Sequence, residues 1–252
     1  QKSLVSILAG IAISDGKLDL NDQVSKYLGV GWSNAKPGQE EDILILHLMT
    51  MTTGLGNKLQ YRVPAGSRWR YNTAAYSRTV HVLEKIYDAS IDNITQQKIA
   101  KPTGMTNTKW MSRPWAKSSD TANTVGLTTT ARDLARLGIL VLADGKWEDE
   151  LLLKDADYLK QALSTSQPYD KAYGLLWWLN GNDARIIGGV GSRLAEGSMT
   201  PAAPDDMVSA RGALGRKLYI VPSKNLVIVR LGDDPGPGFD NEFWRLLLGK
   251  EQ

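Results

Sequence analysis

Between Lys2 and Ser14 the sequence sets Leu4, Val5, Ile7, Leu8, Ile11 and Ile13 around every side of a predicted helix, with small Ala9, Gly10 and Ala12 between them. A helix with one polar face can lie on a surface, but one that is apolar nearly all round has to be enclosed. The stretch is interrupted by Ser6 and Gly10 and falls short of the roughly 17–25 residues of a membrane span, so the enclosure must be protein. A chain of 252 residues can supply it.

The remaining pattern says how. The helix stops at the turn Ser14-Asp15-Gly16. A short amphipathic piece, Val24–Leu28, precedes a Gly-, Pro- and Asn-rich loop over residues 32–40, and residues 43–50 read as a second apolar helix closed by Thr53-Gly54. After the turn Pro64-Ala65-Gly66, the residues Tyr76, Val80, Leu83 and Tyr87 recur at the spacing of one helical stripe. Residues 101–125, which include Trp110 and Trp115, show neither period and read as a long loop. Thr130 with Asp133 three residues on resembles a capping box and opens a helix over residues 131–143. Beyond Lys171 the runs 172–179, Lys217–Val221 and 226–231 read as strands, the last two joined by a hairpin turn at Pro222-Ser223-Lys224-Asn225. A helix over residues 241–248 ends the pattern. Helices cluster first and strands last, which predicts an α+β fold: an antiparallel sheet flanked by helices, with an adjoining all-helical region. We expect a single domain over residues 1–252, with the helical region at roughly 15–165 and the sheet region at roughly 166–252 plus helix 2–14.

Composition narrows the chemistry. Lys and Arg total 30 against 27 for Asp and Glu, and the net +3 is spread without basic runs, so no nucleic-acid partner is indicated. Cysteine is absent, which removes disulfides, thiol nucleophiles and thiolate metal sites. His47 and His81 are the only histidines, too few for a three-histidine zinc site, and any serine–histidine–aspartate triad would have to use one of the two, both of which fall in helix-like segments. No metal and no cofactor is expected. The sequence begins at Gln1 and enters a helix at once, so we expect a processed or truncated piece of a longer protein whose N-terminal part is missing.

Two side chains stand out. Lys2 occupies the first turn of the apolar helix, where the helix dipole opposes a cation and burial favours the neutral amine, a usable general base. The same position also suits a terminal lysine that reaches water. Tyr71, in Trp69-Arg70-Tyr71-Asn72-Thr73, could relay a proton if held near a lysine, or could simply pack with its hydroxyl bonded.

The run Lys2-Ser3-Leu4, continuing through Leu8-Ala9-Gly10-Ile11-Ala12-Ile13 to Gly16-Lys17-Leu18-Asp19-Leu20, resembles the segment after the nucleophile in the class C β-lactamase-like serine hydrolases. That family comprises β-lactamases, D,D-peptidases, esterases and 6-aminohexanoate-dimer hydrolases. Further matches follow in the family's order: His47-Leu48-Met49-Thr50 with Thr53-Gly54-Leu55, Pro64-Ala65-Gly66 with Tyr71-Asn72-Thr73, Lys101-Pro102-Thr103-Gly104-Met105, Thr129 to Ala135, and Leu218-Tyr219-Ile220-Val221-Pro222. Together they span nearly the whole chain.

The resemblance implies a catalytic pair made of Lys2 and Tyr71, with the nucleophilic serine of Ser-x-x-Lys three residues before Lys2 and outside this chain. The literal matches Ser14 to Lys17 and Ser33 to Lys36 run through a turn and a loop and read as chance. The family's Tyr-x-Asn motif would end here in Thr73, which keeps a hydroxyl and loses the amide. Its Lys-Thr-Gly or His-x-Gly strand motif departs further: residues 209–215 read Ser-Ala-Arg-Gly-Ala-Leu-Gly, so the register is either Arg211-Gly212 or Ala213-Leu214-Gly215. An oxyanion hole would combine the serine N–H with one near Gly215. Trp69, with Trp110 and Trp115, could wall an acyl pocket. The implied activity is hydrolysis of a small ester or amide substrate through an acyl-enzyme. The alternatives are a β-lactamase or D,D-peptidase acting on a β-lactam or peptide, and a non-catalytic binding or sensor domain on the same scaffold. Family habit implies a periplasmic or secreted protein, with the cytoplasm as the alternative; the oligomeric state is left open.

Overall fold

The computed structural model describes residues 1–113, 124–187 and 193–249. Its first part is helical: α1 (Lys2–Ser14), α2 (Val24–Leu28), α3 (Pro37–Glu41), α4 (Ile45–Met49), α5 (Thr73–Tyr87) and α6 (Ile91–Thr95), the last running through a π-helical turn at Gln96–Ala100 into α7 (Lys101–Thr103). A hairpin of β1 (Lys109–Ser112) and β2 (Val125–Thr128) leads to α8 (Ala131–Leu142), a small ribbon of β3 (Lys146–Trp147) and β4 (Glu150–Leu151), and α9 (Ala156–Ala162). Then come β5 (Trp178–Leu179), the hairpin β6 (Ala184–Ile187) and β7 (Arg193–Glu196), the strands β8 (Val208–Arg211), β9 (Lys217–Val221) and β10 (Leu226–Arg230), and α10 (Phe239–Leu247). The class is α+β. Among the described residues no helix is long and apolar enough to cross a membrane.

Helix α1 is enclosed as its composition requires, every residue from Ser3 to Ala12 being buried. Burying Leu4, Val5, Ile7, Leu8 and Ile11 removes five large apolar side chains from water, a gain on the order of 10 kcal/mol before chain entropy is counted. Gly10 has a specific role in this packing. A Cβ there would stand 2.4 Å from the Tyr158 ring of α9, so the glycine lets that ring lie against the helix while Tyr158 Oη donates to the Ser6 carbonyl at 2.7 Å. Ser3 Oγ donates to the Leu176 carbonyl at 2.8 Å, tying the first turn of α1 to the segment before β5.

The main sheet is antiparallel in the order β10-β9-β8-β5, with Leu226 opposite Val221, Val208 opposite Ile220 and Trp178 opposite Ser209. The alternation in β9 divides two cores. Leu218 and Ile220 join the large cluster around α1, α4, α5 and α8, and Tyr219 and Val221 pack with Trp244 of α10. Helix α8 approaches closely because residue 138 is glycine; a Cβ there would meet Val227 at 2.6 Å and Leu218 at 2.8 Å.

Several expectations need correction. Residues 172–179 do not form one strand, since only Trp178 and Leu179 pair with β8. Leu175, Leu176 and Trp177 are buried, and their backbone is satisfied from elsewhere, Leu175 N–H by Ala162 O at 3.0 Å and Leu176 N–H by Met49 O at 3.1 Å. An apolar run surrounded by other elements needs no ladder of its own. The loop expected at 32–40 ends in α3, and the loop expected at 101–125 contains α7 and β1; residues 114–123 of it, Trp115 included, lie outside the described residues. Thr130 caps α8 by accepting from Asp133 N–H at 3.2 Å, but Asp133 does not complete a capping box. Its carboxylate accepts instead from Asn107 N–H (2.8 Å), Thr108 Oγ1 (3.0 Å) and Arg136 (3.1 Å), pinning the start of β1 to α8.

Candidate active site

Lys2 is presented by the first turn of α1 and Tyr71 by the extended residues that run into α5. Asn72 fixes that junction. Its Oδ1 accepts from Ala75 N–H at 3.1 Å, which caps α5, while its Nδ2 donates to the carbonyls of Leu55 (3.0 Å) and Gly56 (3.1 Å). Arg70 N–H is held by Met51 O at 2.8 Å. The amine and the phenol meet: Lys2 Nζ lies 4.9 Å from the centre of the Tyr71 ring and 4.7 Å from that of Tyr76.

Burial drives the Lys2 pKa down from 10.5 to about 8, and the nearby Arg113 cation adds to the effect. The two ring faces pull the other way, since an aromatic face favours a cation. A lysine in this setting gives up its proton well below the ordinary lysine range. Tyr71 is 37% exposed, yet partial burial raises its pKa to about 12, so the phenol keeps its proton at any pH where the amine titrates. Tyr76 and Tyr173 are pushed up further, by burial first.

Rings surround Tyr71. Trp178 stacks on it at 5.7 Å with the planes 20° apart, Tyr173 meets it edge-on at 6.2 Å, and Trp69 lies 6.3 Å away. Trp69 is buried, touching Tyr173 at 5.6 Å and Trp178 at 6.3 Å, so it backs the phenol rather than lining open space. Thr73 opens α5, two residues from Tyr71, and is half-buried. Trp110, on β1, packs against α6, its indole N–H donating to Thr95 Oγ1 at 2.8 Å.

The strand-motif candidates make their bonds elsewhere. Arg211 turns to α10, donating to Asp240 at 2.9 Å, Thr200 Oγ1 at 3.0 Å and Ser209 Oγ at 3.2 Å. Leu214 and Gly215 lie in a tight turn between β8 and β9, both at positive φ (58° and 64°), and the Gly215 carbonyl accepts from Arg230 at 3.2 Å. The serines of the two literal Ser-x-x-Lys matches are occupied: Ser14 Oγ donates to Gly10 O at 3.0 Å and Ser33 Oγ to the buried Glu40 carboxylate at 2.7 Å. His47 Nδ1 accepts from Leu44 N–H at 3.1 Å, and His81 Nδ1 lies 3.0 Å from Arg78 Nη1. Among the described residues no group of three His, Asp or Glu side chains could hold a metal.

Sequence reasoning missed Tyr76, Tyr173, Trp178 and Arg113. The Trp177-Trp178 doublet carried a signal, because neighbouring residues entering a strand face opposite ways and one of two adjacent tryptophans must leave the core. Trp177 is fully buried and Trp178 half-buried, as that alternation requires.

Comparison with known proteins bears on the family and the fold. The profile of the family described as beta-lactamase matches residues 1–250. A putative beta-lactamase from Bacteroides dorei superposes with a TM-score of 0.72 at 16% identity, over 99% of this chain and 83% of its own. A putative 6-aminohexanoate-dimer hydrolase from Bacillus anthracis gives 0.70 at 17% identity, over 100% and 73%. A class C beta lactamase from Rhodobacter sphaeroides gives 0.68 at 17% identity, over 98% and 83%. At such identities the likeness is one of fold. No curated protein matches the sequence.

Proposed function

The chain belongs to the beta-lactamase family, and from that premise we propose that it is a serine hydrolase cleaving a small ester or amide through an acyl-enzyme. The observation that carries the proposal is Lys2 in the buried first turn of α1, with its pKa lowered to about 8 and its amine over the Tyr71 ring. The nucleophile is a serine three residues before Lys2, where a helical turn sets the two side chains on one face. The neutral Lys2 amine takes the serine proton as the oxygen attacks the carbonyl carbon. Tyr71, a phenol at neutral pH, passes its proton to the departing oxygen or nitrogen and is reprotonated by the Lys2 ammonium, so that the serine proton ends on the leaving group and both side chains return to their starting states. The oxyanion is met by the serine N–H and by a backbone N–H of the turn at Gly215. Water then attacks the acyl-enzyme and the same groups work in reverse.

Ester or ordinary amide substrates are favoured over β-lactams because residues 209–215 hold no lysine and no threonine for a substrate carboxylate, and Arg211, their one cation, is engaged by Asp240. The test is to treat the full-length protein with a fluorophosphonate and to locate the adduct by mass spectrometry. A stoichiometric adduct on the serine three residues before Lys2, with p-nitrophenyl ester hydrolysis lost on labelling, is the expected result. An adduct on Ser14 or Ser33, or none at all, would overturn the proposal, and a nitrocefin kcat/KM above that for p-nitrophenyl esters would establish the β-lactamase alternative.

A further inference from the structure

Tyr71 is placed by rings rather than by a hydrogen bond. Its hydroxyl has no hydrogen-bond partner among the described residues, and the side chain is 37% exposed on an extended segment where a phenol could otherwise swing into water. Three rings oppose that motion, and they differ in kind. Tyr173 meets Tyr71 edge-on, with the planes 85° apart, and Trp69 is tilted at 49°. Trp178 alone lies nearly flat on it, at 20° and 5.7 Å. Offset stacks and edge-on contacts are both preferred aromatic geometries, and of the three neighbours only the flat one covers a whole face of the phenol and stands across the path of a swing toward water.

Trp178 is itself well held. It is paired with Ser209 of β8, it bridges to Tyr173, and the Tyr173 ring stands against its indole at 4.8 Å and 83°. Tyr71 belongs to the approach to α5 and Trp178 to the edge of the sheet, so their stack joins the two halves of the structure beside the Lys2 amine.

We propose that Trp178 is the positioning residue for Tyr71: the indole, carried by the sheet edge, covers one face of the phenol, blocks its swing about the Cα–Cβ bond and so holds the hydroxyl in place relative to Lys2. The inference rests on the reading of Tyr71 as a proton carrier, and it deepens that reading by naming what keeps the carrier aligned. A misplacement of about 1 Å in a catalytic group can cost on the order of a hundredfold in rate, so removing the stack affects turnover more than binding.

The experiment uses the full-length protein with Trp178→Phe, Trp178→Leu and Trp178→Met, each also combined with Tyr71→Phe, and with tyrosine labelled by carbon-13 at the ring ε positions. The Tyr71 signal is identified by its loss in Tyr71→Phe. In Trp178→Leu that signal should lose the Trp178 share of its ring-current shift and, as the phenol leaves Tyr173 and Trp69, move further toward the free-tyrosine position, while Trp178→Phe keeps the shares of all three rings. With a p-nitroanilide substrate, kcat should fall at least about tenfold in Trp178→Leu with KM changed by less than about threefold, and Trp178→Phe should restore most of the loss. Added to Tyr71→Phe, the Leu substitution should cost nothing further, as for two residues acting in one step. If Trp178→Leu does not fold, judged by thermal melting, Trp178→Met is read in its place. An unmoved Tyr71 signal overturns the proposal, as does a loss confined to KM or losses that multiply in the double variant. Should the full-length protein hydrolyse nothing, the functional reading fails, and the Tyr71 signal alone still decides whether Trp178 positions the phenol.

Discussion

Protonation of Lys2 ought to control both the rate and the stability of this protein, in a calculable direction. Lowering a lysine from 10.5 to about 8 corresponds to a free energy on the order of 3 kcal/mol favouring the neutral amine. The ring faces of Tyr71 and Tyr76 each return about 0.5–1 kcal/mol to the cation, so the net preference is about 1.5–2.5 kcal/mol. Because the folded-state pKa lies below the unfolded one, the unfolded chain binds more protons between the two values. Stability therefore rises with pH across that window, from about 8 to 10.5, and the penalty is fully present below it. Chemical denaturation of the wild type and of Lys2→Met at intervals from pH 7 to 10.5 measures this, and the wild type should gain about 1.5–2.5 kcal/mol on the variant over the range. For the reaction, kcat/KM on a p-nitrophenyl ester should climb with an apparent pKa near 8–9, the neutral fraction of Lys2 growing roughly tenfold over the two pH units centred on that value. A rate flat from pH 7 to 9.5, or parallel stability curves for the two proteins, would refute the reasoning.

Other consequences can be checked separately. Lys2→Ala should cut ester hydrolysis by about two to four orders of magnitude, the usual range for loss of a general base; an unchanged rate would remove Lys2 from the mechanism. Tyr71→Phe should slow p-nitroanilide turnover far more than p-nitrophenyl ester turnover, because an amine leaving group needs the proton and a p-nitrophenolate does not; equal slowing would make the phenol a positioning group. Arg211→Ala should cost about 1–2 kcal/mol in urea denaturation through loss of its bonds to Asp240 and Thr200 while leaving KM within about twofold, and a tenfold rise in KM would instead place the guanidinium on substrate. Asp170 is fully buried, and burial raises its pKa against the opposing pull of the Ala172 and Ile186 N–H groups and of Arg185, so its charge weakens the fold increasingly as pH rises above the ordinary aspartate range. Asp170→Asn, which keeps an acceptor for Ala172 N–H, should stabilise the protein at pH 7 by about 1 kcal/mol; a fall in melting temperature would show that the charge is needed.

How far the sequence revealed this structure depended on whether the determining contacts were local. Helix α1 was legible to its end residues because its apolarity needs no partner to be interpreted, and β9 and β10 because Leu218, Ile220, Val227 and Val229 alternate with residues of the opposite face. The run before β5 misled for the converse reason. Leu175, Leu176 and Trp177 are buried on every side, and complete burial erases the period that separates a strand from a core loop. Lys2 and Tyr71 could be singled out because each sits at a recognisable local position, whereas Trp178 reaches Tyr71 only through the pairing of β5 with β8.

The strand motif was illegible for a related reason, and the surroundings of Arg211 bear on the proposed mechanism. Pairing of β8 with β9 sets Arg211 beside Lys217, two cations on one face of the sheet, an arrangement that like-charge repulsion disfavours. Asp240, from the first turn of α10, accepts from both at 2.9 Å and from Tyr219 Oη at 2.8 Å, and a carboxylate so placed also suits the positive end of that helix. The three-way bond turns the repulsion into an anchor for α10. The Arg211 guanidinium is thereby committed to the face of the sheet that carries α10. Of the two registers, Arg211-Gly212 would have to draw its cation away from Asp240 to greet a substrate and strand Lys217 with a half-satisfied partner. Ala213-Leu214-Gly215 needs only backbone N–H groups in a turn already bent into positive φ, which is why the proposed mechanism puts the oxyanion contact there.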